Sequence, residues 1–418
     1  MTIDELRARL VKLNTEIELH REALKSLEQD RSLVQRQMNA ALDPVARLPL
    51  EISSEIFRQS LAPFPDVGPL HAPMLLLNIC NTWTDIALST PSLWAAIHII
   101  FPSGLSSTQS LKALVPIWLQ RAHNRPLSIW LSGANFDYNV LSIIWSHAQR
   151  LKHLEISDME SDDDDIPLWK GTIPGPLPSL ETLTTHGVYG AGLSHHHILD
   201  LLRLAPNLIE CSLELDFNIA VDKILVLPKL HRLMFGECGT SPLFDYRFLE
   251  HLSLPGLETL FADAILESLL SFLQRSSPPL QELVLGNESD MPLLAECLHL
   301  VPDLRRFEMW DSPCGLVEEF FAALVQSPSL LPQLRTLVFH INENQTVDNI
   351  SISFWTVALR ALTARRTHLQ VFHLQVPIGL ASSIIPAAEI SAALGELAAD
   401  GMKICISGSD GEWVRTYG

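Results

Sequence analysis

Residues 304–310 read Leu-Arg-Arg-Phe-Glu-Met-Trp. Phe307 and Met309 alternate as inward side chains of a strand do, and Leu304, three places earlier, covers the bend into it. The phrase returns at Leu151/Leu154/Ile156, Leu208/Cys211/Leu213, Leu230/Leu233/Phe235, Leu249/Leu252/Leu254, Leu280/Leu283/Leu285, Leu334/Leu337/Phe339 and Leu369/Phe372/Leu374. A partial copy at Leu180/Leu183 has Thr185 in its third place. Apolar helix candidates at 197–205, 261–275, 315–326, 354–366 and 387–400 lie between the phrases or after the last. Strand then helix, at steps of 19 to 35 residues, predicts a stacked, irregular solenoid of α/β class. A doubly wound sheet is the rival, but it gives no reason for a leading leucine at nearly every strand.

In such strands the residue between the two inward groups faces the uncovered side. These are Glu155, Thr184, Ser212, Met234, Ser253, Val284, Glu308, Val338 and His373, and the next outward places include His186, Gly286, Trp310, His340 and Gln375. Glu308, Trp310, His340 and His373 gather toward the C-terminal strands and form the candidate surface for a protein substrate. Trp310 offers a large rigid contact, and Glu308 and Asp311 beside it suit a basic partner. The competing assignment is decoration of a strand edge, with Trp310 covered by the loop at 341–351.

Ahead of the strands the texture is helical. Ile3, Leu6, Leu10, Leu13, Ile17, Leu24, Leu27, Val34 and Met38 step by threes and fours, with His20 and Arg31 interrupting the seam. This predicts a coiled-coil-like helix over 1–40 that pairs weakly as a homodimer or packs back on its own chain. Asp43-Pro44 ends it, and 44–97 reads as a small helical module: a helix over 48–61, a proline-rich connection at 62–73, a helix over 74–88 and a short element from Ser89 to Trp94. Residues 98–125 read as a helical linker, and 126–418 as the repeat domain.

Leu48-Pro49-x-Glu51 with Ile56-Phe57, then Cys80-x-x-Trp83 with Ile86-Ala87, then Leu93-Trp94, resembles the F-box. Together with the charged helix before it, the arrangement is similar to the F-box families of mushroom-forming fungi, which carry divergent leucine-rich repeats behind the box. The resemblance implies the substrate-recognition subunit of a cullin-RING ubiquitin ligase. Leu48, Pro49, Ile56, Phe57, Leu61 and Cys80 would then meet the adaptor subunit, and the repeats would present a substrate. The alternative is a leucine-rich scaffold without ligase coupling. The sequence departs from the family at the long proline-rich connection, at Asn81 and Thr82, and at the asparagine ladder of the repeats, which only Cys238 and Asn342 fit.

Composition bounds the rest. With 47% hydrophobic residues the 418-residue chain fills a sizeable core, and its formal net charge of -19 argues against binding nucleic acid or anionic membrane. Six cysteines without a C-x-x-C pair give neither a disulfide framework nor a zinc knuckle. The acidic run Asp162–Asp165 lacks the register of a calcium loop, and the neighbours His195, His196 and His197 cannot converge on one metal. Phosphate-binding, nucleophile-elbow and metalloprotease motifs are absent. The sequence therefore predicts no catalytic residue, no cofactor and no metal. Without an apolar leader the expected location is cytoplasmic or nuclear.

Overall fold

The computed structural model describes residues 3–68, 70–101, 105–133, 136–158, 175–187, 195–213, 224–235, 246–262, 265–286, 290–341, 352–377, 388–408 and 414–417. The chain divides into two compact units, Met1–Trp130 and Leu131–Gly418. Among the described residues no helix is long and apolar enough to cross a membrane.

The first unit opens on α1 (Ile3–Leu42), none of whose residues is buried. Its C-terminal end is tied down: Arg36 donates to the carbonyl of Leu77 and to Thr84, and Asn39 donates to the carbonyl of Ile79. The long helix is therefore present, and among the described residues none of its side chains is buried within this chain. After it come α2 (Leu50–Gln59), α3 (Asn81–Ser89), a 3-10 turn at Pro91–Trp94, β1 (Ala96–Phe101), α4 (Leu105–Arg121) and β2 (Leu127–Gly133), within which the chain passes into the second unit. Trp94 and Trp118 meet edge to face at 5.1 Å, and Trp94 donates to the carbonyl of Ala87 at 2.8 Å. Leu93, Ile97, Ile99 and Leu119 close the core around them.

This packing corrects the box reading. The turn that ends in Trp94 continues into β1, and Trp94 is buried against α4, so residues 44–97 belong to a mixed α/β unit and not to a helical module of their own. Trp83, which the resemblance also uses, packs on Phe57 with ring centres 4.7 Å apart and gives its indole N–H to Asp43. Of the residues that carry the likeness, Phe57, Cys80, Ile86, Ala87, Leu93 and Trp94 are buried in this core.

The second unit contains α5 (Tyr138–Trp145), β3 (Leu151–Asp158), β4 (Thr182–Gly187), α6 (His195–Leu204), β5 (Glu210–Leu213), β6 (Leu225–Val226), β7 (Arg232–Phe235), β8 (Leu252–Ser253) and β9 (Thr259–Ala262). It continues with α7 (Leu266–Ser276), β10 (Glu282–Gly286), α8 (Met291–His299), β11 (Arg306–Ser312), α9 (Cys314–Gln326), β12 (Thr336–Ile341), α10 (Ile352–Arg365), β13 (Val371–Val376), α11 (Ala388–Ala399), β14 (Lys403–Gly408) and β15 (Val414–Tyr417). β3, β4, β5, β7, β9, β10, β11, β12, β13 and β14 are neighbours in that order and pair in parallel, while β15 closes the end antiparallel to β14. β6 and β8 form a separate parallel pair.

Parallel strands in chain order need crossovers of one hand, which puts the intervening helices on one face. There the inward side chains meet them: Phe320 of α9 stacks on Phe307 at 5.2 Å, and Phe321 meets Phe339, Phe354 and Phe372. On the opposite face Glu155, Thr184, Ser212, Met234, Phe261 and His373 are half-buried.

The expected leucine-rich solenoid is thus replaced by one large parallel sheet held by strand pairing between distant residues. Its connections are irregular: a 3-10 turn at Tyr246–His251, helices from nine to fourteen residues between β9 and β13, and two strands set apart from the main sheet. The leading-leucine phrase encodes a parallel strand covered on one side, which a large sheet requires as much as a stacked array does. The phrase at Leu249 is the clearest misreading. It forms only the two-residue β8, and the main-sheet strand is β9, whose last two residues fall in the span predicted as helix from 261. Ligase coupling depended on a box followed by a solenoid, and with that architecture overturned it does not stand. The leucine-rich scaffold offered as its alternative falls with the solenoid.

Candidate binding face on the sheet

Glu308 lies mid-strand on β11 with 6% of its surface exposed. A buried carboxylate is costly unless paired, and this one is paired twice. Arg306, two residues earlier on the same face, donates to Oε2 at 2.6 Å and also reaches Glu282 on β10 at 3.1 Å. His340 on β12 meets Oε1 through Nε2 at 2.9 Å. Burial pushes the Glu308 carboxyl up, but the hydrogen bonds from His340 and Arg306 outweigh it and bring the pKa to about 2. The carboxylate is charged, so His340 Nε2 is the donor.

Held in that way, the His340 ring lies flat on Trp310, with centres 3.6 Å apart and planes 9° from parallel. The backbone contributes too. The β11–β12 register shifts between Met309 and Ser312, and Asp311 takes φ 54°, a left-handed conformation costly for a side chain with a Cβ. Such a bulge re-aims the residues beside it, and Trp310 is the residue it sets against β12. Two buried polar atoms at this place have no hydrogen-bond partner among the described residues, His340 Nδ1 and Ser312 Oγ. Buried charge, bulge, left-handed residue and orphaned polar atoms coincide at the carboxyl ends of β11 and β12.

His373 on β13 stands 6.3 Å from His340, ring centre to ring centre, and its Nε2 is 2.8 Å from Ser407 Oγ on β14. Burial, and then the charge of His340, lower its pKa. The sheet therefore brings together all four residues proposed for the substrate surface, but unequally. Trp310 is half-buried, whereas Glu308 lies beneath and positions the stack. The loop proposed as a cover for Trp310 lies, beyond residue 341, outside the described residues.

Of the residues assigned to an adaptor, Leu48, Pro49 and Ile56 are exposed on and before α2 and Leu61 is half-buried, while Phe57 and Cys80 are buried. The acidic run at 162–165 lies outside the described residues, as do the side chains of His195, His196 and His197 at the start of α6. Among the described residues no cluster of histidine, cysteine and acidic side chains could hold a metal.

Sequence reasoning missed Arg306, Glu282, Ser407 and the bulge. Arg306 and Glu282 were reachable from the same alternation, one step earlier on each strand. The bulge gave no signal, because Asp311 and Ser312 are ordinary strand-end residues. Compared with known proteins, the chain matches no protein-family model and no curated protein.

Proposed function

We propose that the carboxyl ends of β11–β13 bind a basic segment of a partner protein, with Trp310 as the anchor. The observation that carries this reading is the Trp310–His340 stack, fixed from beneath by a buried, doubly bonded Glu308 and set in place by a strained bulge. A flat, half-exposed indole accepts an arginine or lysine over its ring, and the chain's net charge of -19 draws a basic partner toward it. The role asks for no chemistry from the protein itself: Glu308 and Arg306 position, while Trp310 and His340 make contact.

The test is selection of a displayed dodecapeptide library on the protein. Enrichment of arginine and lysine is expected, and Trp310→Ala should bind the selected peptides about thirtyfold less tightly, as loss of an interface anchor does, with its thermal unfolding unchanged. Peptides that bind Trp310→Ala as well as the parent would contradict the reading. So would a lowered melting temperature without loss of affinity, since the ring would then serve stability alone.

A further inference from the structure

The apolar stripe of α1 is open to solvent along its described length: from Ile3 to Val34 its large apolar side chains are between 46% and 70% exposed. With Ile3 at an a site and Leu6 at a d site, the heptad frame repeats to Arg31 at an a site and Val34 at a d site, and His20 falls at a d site between them. A long helix gains most of its stability by burying such a stripe. The charged residues that flank the stripe, at the e and g sites, decide which partner can cover it.

A second copy of α1, laid antiparallel about a two-fold axis between Glu18 and Leu19, sets a sites against d sites throughout. Ile3 then faces Val34 of the second copy, Leu10 faces Leu27 and Leu13 faces Leu24, each contact occurring twice. Leu6 covers Arg31 and Ile17 covers His20, so neither polar member of the stripe meets its own copy. At the flanks Arg7 falls beside Glu28 and Arg9 beside Asp30, again twice, and no like charges are opposed. The neighbouring registers fail on charge. Sliding one copy by a heptad in one direction sets Glu16 beside Asp30 and Arg21 beside Arg21; sliding it in the other sets Arg7 beside Arg21 and Glu16 beside Glu16. A parallel pair in register keeps the attraction of Glu16 for Arg21 but places Arg31 on Arg31 in its core.

We propose that α1 pairs antiparallel with α1 of a second copy of this chain over residues 3–34, a contact about 48 Å long at 1.5 Å per residue. Arg36 and Asn39, whose hydrogen bonds to Leu77, Thr84 and Ile79 hold the helix to its own unit, lie just outside the paired stretch, so pairing leaves that anchor intact. The antiparallel course carries the two anchors to opposite ends of the pair, where the bodies they hold do not compete for space. Within its own helix Arg7 reaches Asp4 at 3.5 Å with both side chains exposed, a contact worth little that gives way to Glu28. The mixed layers at His20 and Arg31 keep the pair weak. It forms in the micromolar range and dissociates on dilution, which leaves α1 unpaired in dilute solution.

Sedimentation equilibrium of the full chain over a micromolar concentration series tests the pairing. The parent should pass from the mass of one chain to that of two as concentration rises. Arg7→Glu combined with Arg9→Glu turns the flanking attractions into repulsions and should weaken the dimer at least about tenfold. Adding Glu28→Arg and Asp30→Arg to the same chain reverses the partners as well and should restore it. Residues 7 and 28 lie about 30 Å apart along one helix, so the rescue reads contact between chains and not helicity. A parallel pair would be indifferent to the first exchange, since Arg9 there faces Asn14. One-chain mass throughout the series would overturn the pairing. A dimer that Arg7→Glu with Arg9→Glu leaves as tight as the parent, or that the fourfold variant does not restore, would overturn the antiparallel register.

Discussion

Glu308 and His373 shape the response of the protein to acid, in two separate windows. His373 is held below its ordinary value by burial, then by the charges of His340 and Lys403, with Glu308 acting in the opposite direction. A group depressed in the folded state contributes stability above its unfolded pKa of about 6.5, and that stability is lost as the pH falls toward the folded value. His147 and His153, also lowered by burial, act in the same direction. Glu308, brought to about 2, contributes above the ordinary carboxylate range and loses its contribution as the pH falls from that range through 2. Urea unfolding over a pH series should therefore show one decline just below neutrality and a second in strong acid. His373→Gln should flatten the first. Glu308→Gln should flatten the second and cost about 3 kcal/mol at neutral pH, the usual result of breaking a buried ion pair. At this scale the sequence was informative: alternation alone put Glu308, Trp310, His340 and His373 on one face. It could not say that Glu308 is buried under the stack, because burial depends on the diagonal reach of His340 from the next strand.

Among the elements, the connections carry much of the specificity. Arg365 at the end of α10 donates through Nη2 to the carbonyls of Leu324, Ser327 and Leu330, and through Nη1 to that of Leu331, satisfying the end of α9 and the loop after it. Burial lowers its pKa, and removing it leaves several buried acceptors unmet. Arg365→Ala should cost about 2–3 kcal/mol in chemical denaturation, whereas Arg360→Ala, at an exposed place on the same helix, should cost little. Gly256 lies in the turn between β8 and β9: a Cβ there would meet the carbonyl oxygen of Pro228 at 2.6 Å. Gly256→Ala should accordingly lower the melting temperature, which scanning calorimetry checks. α1 makes the opposite prediction. With no buried side chain and its anchors near the C-terminal end, residues 3–33 should exchange amide hydrogens far faster than β10–β13. Strands and helices of the second unit were largely legible from the leucine phrase, but β9 was hidden because Thr259–Ala262 precedes a helix without a turn signal. The α1 seam was legible as a helix, while a heptad pattern describes one face and says nothing of what covers it.

For the molecule as a whole, the decisive fact is that strand order in the main sheet follows chain order across the second unit, so the helices take one face of that sheet. The phrase that suggested stacked repeats specifies this arrangement locally, and the joining of its strands into one large sheet appears only in the pairing of distant residues. The resemblance at 48–94 failed for a related reason: its second half, Cys80, Ile86, Ala87, Leu93 and Trp94, fills the core of a unit that continues into β1 and α4. On the proposed function, a basic partner binds the outward face of β11–β13. Hydrogen exchange of the full chain with and without a selected basic peptide checks this. Added protection should fall on Arg306–Ser312, Thr336–Ile341 and Val371–Val376, and should vanish in Trp310→Ala. Protection confined to α7–α11, or to the first unit, would contradict binding at this face.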